Sequence, residues 1–221
     1  MFTPLICHFL IGCPGSGKST LAALLAKEGN YRIVSTDQIR EALYGNASIQ
    51  GDWSAIEAQV LSQIRSAIAS NQPVIYDATN AKRDWRMELL MQLNSLIPPT
   101  APDQGGALET SHCYSLLKKG DRGGETVHWM AWHLTTPLET CKAWNQKRDR
   151  QVPDGVIESM FKSLQDFPPV LAEGFAAVNM VNYTTEGFDI PEIRGKIKRL
   201  SHTLTNYSNL TKPHKITPAL L

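Results

Sequence analysis

The chain has 221 residues, the length of one large domain or two small ones, and its 42% hydrophobic content supplies a real core. With 22 Lys and Arg against 21 Asp and Glu, the net charge is +1, which excludes a histone-like basic binder and a disordered acidic tail but leaves a local basic patch open. The longest apolar run, Pro4 to Gly12, is far short of the roughly 20 residues that span a bilayer, so a transmembrane reading fails. Met1-Phe2-Thr3 supplies no positive signal-peptide start. Cys7, Cys13, Cys113 and Cys141 show no CxxC spacing, so reduced thiols in a cytoplasmic protein are expected.

In chain order, Leu5 to Ile11 is a near-continuous apolar stretch, the pattern of a strand buried on both faces of a parallel sheet. A glycine loop follows, then a helix from Lys18 to Lys27 with Leu21, Leu24 and Leu25 at helical spacing. Tyr31 to Ser35 reads as a second strand, and Thr36 or Asp37 can cap a short helix that Gly45 ends after Tyr44. Trp53, Ile56, Val60, Ile64 and Ile68 mark one face of a helix reaching about Ser70, before a third strand at Val74 to Tyr76.

Ala81 to Leu96 reads as another helix, followed by an insertion at about 98–126 that is expected to be mobile. A fourth strand at Val127 to Leu134, a helix from Leu138 to about Arg150, and a helix from Pro153 to the break at Pro168-Pro169 come next. Ala177 to Asn182 is a fifth strand and Pro191 to Leu204 a last helix, so residues 1–205 read as one domain and 206–221 as a polar tail. Strands joined by helical crossovers predict an α/β fold with an open parallel sheet of about five strands and ligands outside the carboxyl ends of the strands.

Gly12-Cys-Pro-Gly-Ser-Gly-Lys18-Ser19 fits GxxxxGK[ST] between a buried strand and a helix. Glycines let consecutive N–H groups turn toward phosphate oxygens, and the helix N-terminus adds its positive dipole end. Gly12, Gly15, Ser16, Gly17, Lys18, Ser19 and Thr20 are therefore the expected nucleotide contacts, with Lys18 on the β- and γ-phosphates and the Ser19 hydroxyl on magnesium. Cys13 is read as a small filler.

Both following strands end in aspartates. Asp37 lies just past the second, with Arg40 one helical turn on, so the two can face one cleft; Asp37 as a plain helix cap is the alternative. Asp77, in Tyr76-Asp77-Ala-Thr-Asn80, could hold magnesium or Arg40, or serve a turn. Lys147-Arg148-Asp149-Arg150 is the densest basic run near a strand end, suited to stabilising a transferring phosphoryl group or to a solvated helix end. Arg83 and Arg86 could face an acceptor or lie on a surface helix face. His128 and His133, five apart in a strand, point to opposite faces, which disfavours a metal site.

Together GCPGSGKST, STDQIR, VIYDATN and CKAWNQKRDRQVPDGVIESM resemble the kinase domain of the polynucleotide 5′-hydroxyl kinase group of P-loop proteins, within the AAA-type zeta-toxin/polynucleotide kinase set. The resemblance covers about residues 4–185 apart from the insertion. It implies a P-loop fold of the nucleoside-kinase type with a lid at about 141–153, using ATP and Mg2+. It implies Asp37 as general base, Arg40 on the acceptor nucleotide's phosphate, Asp77 orienting that arginine, and Arg148 and Arg150 on the donor phosphates. Where relatives often read Arg-Asn before the lid, this chain has Trp144-Asn145.

The expected activity is transfer of the γ-phosphate of ATP to an alcohol acceptor, a nucleic-acid 5′-hydroxyl first. A small-molecule or aminoacyl-tRNA kinase of the same fold is the alternative, and the near-neutral charge favours it, because gripping many phosphates needs many cations. A non-catalytic nucleotide-binding module is disfavoured by Lys18, Ser19, Asp37 and Arg148.

Overall fold

Every residue of β1 (Leu5–Ile11) is buried, as a strand covered on both faces must be. The computed structural model describes residues 4–95, 127–183 and 187–210; the expected insertion at 98–126 lies outside them, as does the chain beyond 210. β1 pairs with β3 (Val74–Asp77) on one side and β4 (Val127–Leu134) on the other. β2 (Arg32–Ser35) and β5 (Ala177–Val181) form the edges, giving a five-stranded, all-parallel sheet of order β2-β3-β1-β4-β5. The α/β class and strand number are those expected.

Alternation along β1 sends Cys7, Phe9 and Ile11 to one core and Ile6 and Leu10 to the other. The second core is closed by α1 (Lys18–Lys27) and by α7 (Ile190–Leu210) through Ile193. The first is closed by α2 (Thr36–Tyr44), α3 (Trp53–Ala69), α4 (Arg83–Ser95), α5 (Leu138–Gln146) and α6 (Asp154–Asp166). Gly45 ends α2 in the left-handed conformation, φ 73°, where glycine carries no Cβ penalty. No described helix is long and apolar enough to cross a membrane.

Two helices depart from expectation. α5 stops at Gln146 rather than Arg150, because the buried Asn145 side chain exchanges two hydrogen bonds with the Val152 backbone, at 2.8 and 3.0 Å, and folds 146–151 into a loop. α7 continues past Leu204 to Leu210, so the polar tail expected from 206 begins as helix. Thr203 and Thr205 hydroxyls donate to the carbonyls four residues back, at 2.9 Å each, so these polar residues are accommodated within a helix.

His8 interrupts the apolar second core. Trp132 Nε1 donates to its Nδ1 at 3.0 Å, and burial pushes the imidazole from 6.5 down to about 3. The unfolded chain therefore takes up a proton below about pH 6.5 that the folded chain refuses, so stability is full above that pH and declines on acidification toward pH 3, by up to ~1.4 kcal/mol per pH unit. Burial lowers His128 and His133 as well, with the same sign. The urea midpoint should fall between about pH 6.5 and 4, and His8→Gln, whose amide oxygen can accept the indole N–H, should flatten that fall. An unchanged slope in the variant would assign the acid sensitivity elsewhere.

Candidate active site

The carboxyl edge of the sheet gathers the expected site residues. β1 runs into the loop at 12–17, where Gly15 and Gly17 adopt φ 78° and 97°. A Cβ on Gly15 would stand 2.2 Å from the Cys141 carbonyl oxygen, so only glycine lets the loop lie this close to α5. Three ties hold the loop to the neighbouring strand ends: Gly12 N donates to Thr79 O at 3.1 Å, Asn80 Nδ2 to Leu10 O at 2.7 Å, and Thr136 Oγ1 to Ser16 O at 2.8 Å. Asn80 itself sits in the left-handed region, φ 51°.

Lys18 Nζ donates to Gly12 O and Cys13 O, at 2.9 and 2.7 Å. Burial pushes its ammonium below the usual range, opposed first by Asp77. Asp77, itself buried, is pushed up by burial and pulled back by Lys18 and by a side-chain hydrogen bond with Ser19. The Ser19 hydroxyl and the Asp77 carboxylate thus form an adjacent oxygen pair of the kind a hard dication takes. Ser19 and Thr20 are exposed at the start of α1, while Ser16 is buried. Burial pushes the Cys13 thiol up to about 12, consistent with an inert filler.

Asp37 is not the cap of α2. Ser35 occupies that position, and the Asp37 carboxylate meets cations instead. Arg40 Nη1 donates to Oδ1 at 3.2 Å, Arg150 Nη1 reaches the same oxygen, and Arg148 Nη2 stands 3.9 Å from Oδ2. Asp77 feels the charges of Asp37, Lys18 and Arg148, so these expected site residues share one electrostatic neighbourhood. One implied contact differs: the carboxylate that Arg40 meets is Asp37, whereas Asp77 faces Lys18 and Ser19.

The 147–150 run reaches this cleft because the Asn145–Val152 bonds close the loop at its base. Nearby, Trp144 packs edge-on to Tyr183 at 4.8 Å and Tyr183 to Phe188 at 4.9 Å. Gly17 abuts the same rings: a Cβ there would be 3.4 Å from Phe188 and 3.8 Å from Tyr183. The residue that departs from the resembled pattern therefore lines the wall beside the phosphate loop.

Arg83 and Arg86 both approach Glu173. Arg83 Nε lies 3.6 Å from Glu173 Oε1. Arg86, read as an acceptor contact or a surface residue, is fully buried: its Nε and Nη2 donate to Glu173 at 2.6 and 2.7 Å, Nη1 to Asn80 O and Ala81 O at 3.1 Å each, and Nη2 to Phe167 O at 3.0 Å. Its partner Glu173 lies in a 3-10 turn, Leu171–Glu173, that periodicity did not mark. The pair braces the 77–80 turn from behind. Sequence reasoning also missed Thr136 and the Asn145 loop closure, since neither belongs to a local motif.

Comparison with known proteins places this geometry among P-loop kinases. The profile of the AAA domain family AAA_33 matches residues 7–167. A shikimate kinase from Chlorobium phaeobacteroides (strain DSM 266 / SMG 266 / 2430) is 25% identical over 215 residues, covering 92% of this chain and 93% of that one. A solved chain from Chloroflexus aurantiacus j-10-fl, proposed to be a kinase, superposes with a TM-score of 0.63 at 16% identity over 92% of this chain and 98% of that one. A chain of the Pnkp1/Rnl/Hen1 RNA repair complex superposes with a TM-score of 0.52 at 20% identity; the match covers 75% of this chain and 45% of that longer one.

Proposed function

The chain belongs to the AAA domain family AAA_33, and on that premise we propose that it transfers the γ-phosphate of ATP to the 5′-hydroxyl at the end of a nucleic acid. The observation that carries this reading is the Asp37 carboxylate among Arg40, Arg148 and Arg150, in the same electrostatic neighbourhood as Lys18 of the phosphate loop. An acceptor hydroxyl placed at Asp37 gives up its proton there as its oxygen attacks the γ-phosphorus, and ADP leaves. Arg40 then holds a phosphate of the acceptor. Charge on the transferring group is spread over its equatorial oxygens, where Lys18, Arg148 and Arg150 stabilise it. Ser19 and Asp77 would hold magnesium, which supplies charge neutralisation on the donor phosphates when bound.

A second reading, phosphorylation of a small-molecule alcohol, is supported by the shikimate kinase that aligns over 92% of the chain and by the net charge of +1. Labelled ATP offered in parallel to a 5′-hydroxyl oligonucleotide and to a pool of sugars, shikimate and nucleosides separates the two. Label on the oligonucleotide alone supports the first reading; label on a small alcohol alone replaces it with the second.

A further inference from the structure

Two tryptophans stand stacked at the same edge of the sheet and are not buried. Trp53, first residue of α3, and Trp85, in the first turn of α4, have ring centroids 6.0 Å apart and planes 18° from parallel. They remain 43% and 53% exposed, while Trp129 and Trp132 are buried in the cores. Leaving so much aromatic surface in water forgoes the burial that usually recommends a tryptophan. Lys82 Nζ lies 4.5 Å from the centroid of the Trp85 ring, and the half-exposed Arg83 follows it in the chain.

The pair is held from below. The Asp52 N–H donates to Tyr44 Oη at 3.0 Å, Asp52 Oδ1 caps α3 by accepting from Ser54 N at 3.0 Å, and Gly51, at φ 61°, leaves room for the Tyr44 ring. Further along the α3–α4 seam, Gln92 Nε2 donates to Glu57 Oε1 at 3.4 Å. Arg40, which grips Asp37, also donates to Gln50 O at 3.5 Å, three residues before Trp53. Asp37 and Tyr44 are seven residues apart on one helix, a rise of about 10 Å. The 50–53 segment that carries Trp53 is thus tied at two points to α2, the helix that carries Asp37.

We propose that Trp53 and Trp85 form a stacking platform for a base of the acceptor strand inward of the reacting 5′ end, with Lys82 beside the strand's phosphates. This rests on the reading of the acceptor as a nucleic-acid end. Half-exposed stacked rings with an ammonium over one face match the alternation of π-faces and phosphates along a single strand, and stacking of this kind is tolerant of sequence. A sugar ring could also lie on a tryptophan, but it would offer Lys82 no anion.

The test compares kcat/KM for a nucleoside 3′-phosphate with that for a 5′-hydroxyl oligothymidylate of six nucleotides. The wild-type enzyme should prefer the hexamer, and Trp53→Ala and Trp85→Ala should each reduce that preference by roughly 5- to 100-fold, with partial rescue by Trp53→Phe. Equal losses on both acceptors, or no loss on either, would overturn the platform while leaving the kinase reading in place. A wild-type enzyme that phosphorylates neither would overturn the acceptor reading instead. Tryptophan fluorescence then tests the platform without turnover: quenching by the hexamer that the Trp53→Phe and Trp85→Phe variants diminish supports it, and absence of quenching, or quenching by hexoses alone, overturns it.

Discussion

Asp37→Asn should lower turnover by about 100-fold or more while ATP binding is retained. Asparagine keeps the size of the side chain and much of its hydrogen bonding but cannot take a proton from a hydroxyl at neutral pH. ATP is expected at the phosphate loop, which the substitution does not touch, and the arginines that now meet Asp37 become free to meet phosphates. Loss of an acid from the first turn of α2 costs only about 0.3–1 kcal/mol of helix-dipole energy, so the fold should persist. Turnover and ATP affinity measured on the one variant decide the role. Full activity would remove Asp37 from the chemistry, and joint loss of both with a collapsed thermal transition would report misfolding.

Arg86→Met should destabilise the protein by about 3–5 kcal/mol, because it leaves the buried Glu173 carboxylate with only the longer contact to Arg83 for counter-charge. The carbonyls of Asn80, Ala81 and Phe167 lose their donor in the same step. Arg86→Lys should recover little, since an ammonium cannot reproduce the two-pronged grip on the carboxylate and reach three carbonyls as well. The pair variant Arg86→Met with Glu173→Gln should be more stable than Arg86→Met alone, as the stranded charge is gone. Urea unfolding of the three variants checks this. A midpoint close to wild type for Arg86→Met would show that the ion pair contributes nothing net.

The phosphate loop was legible because strand, turn and helix onset are consecutive, and each is written in local residue types: apolar run, glycines, Lys18-Ser19. The aspartates at 37 and 77 were legible for the same reason, as polar residues breaking an apolar strand at its carboxyl end. What failed to show was tertiary. Arg86 looks like any arginine on a helix until Glu173, 87 residues away, is placed against it. Trp53 fits a core periodicity and is nonetheless 43% exposed, stacked on Trp85 of another helix rather than packed in the core. Asn145 continues a helical pattern whose end is decided by the backbone of Val152. Helix ends were misjudged in both directions: α5 was cut short by that closure, and α7 ran on where threonine hydroxyls turn inward to their own helix.

Three guanidinium groups converge on one carboxylate that has two oxygens. A hydroxyl arriving at Asp37 must displace a cation from it, and a triphosphate, with several negative charges against one, competes for those same cations with advantage. On the proposed function, donor and acceptor draw on a common set of charges, and filling the first site should lower the free-energy cost of filling the second. Linkage of this kind is reciprocal: whatever factor the donor adds to acceptor affinity, the acceptor adds to donor affinity. On the proposed function, the pathway with donor bound first should then carry the greater flux.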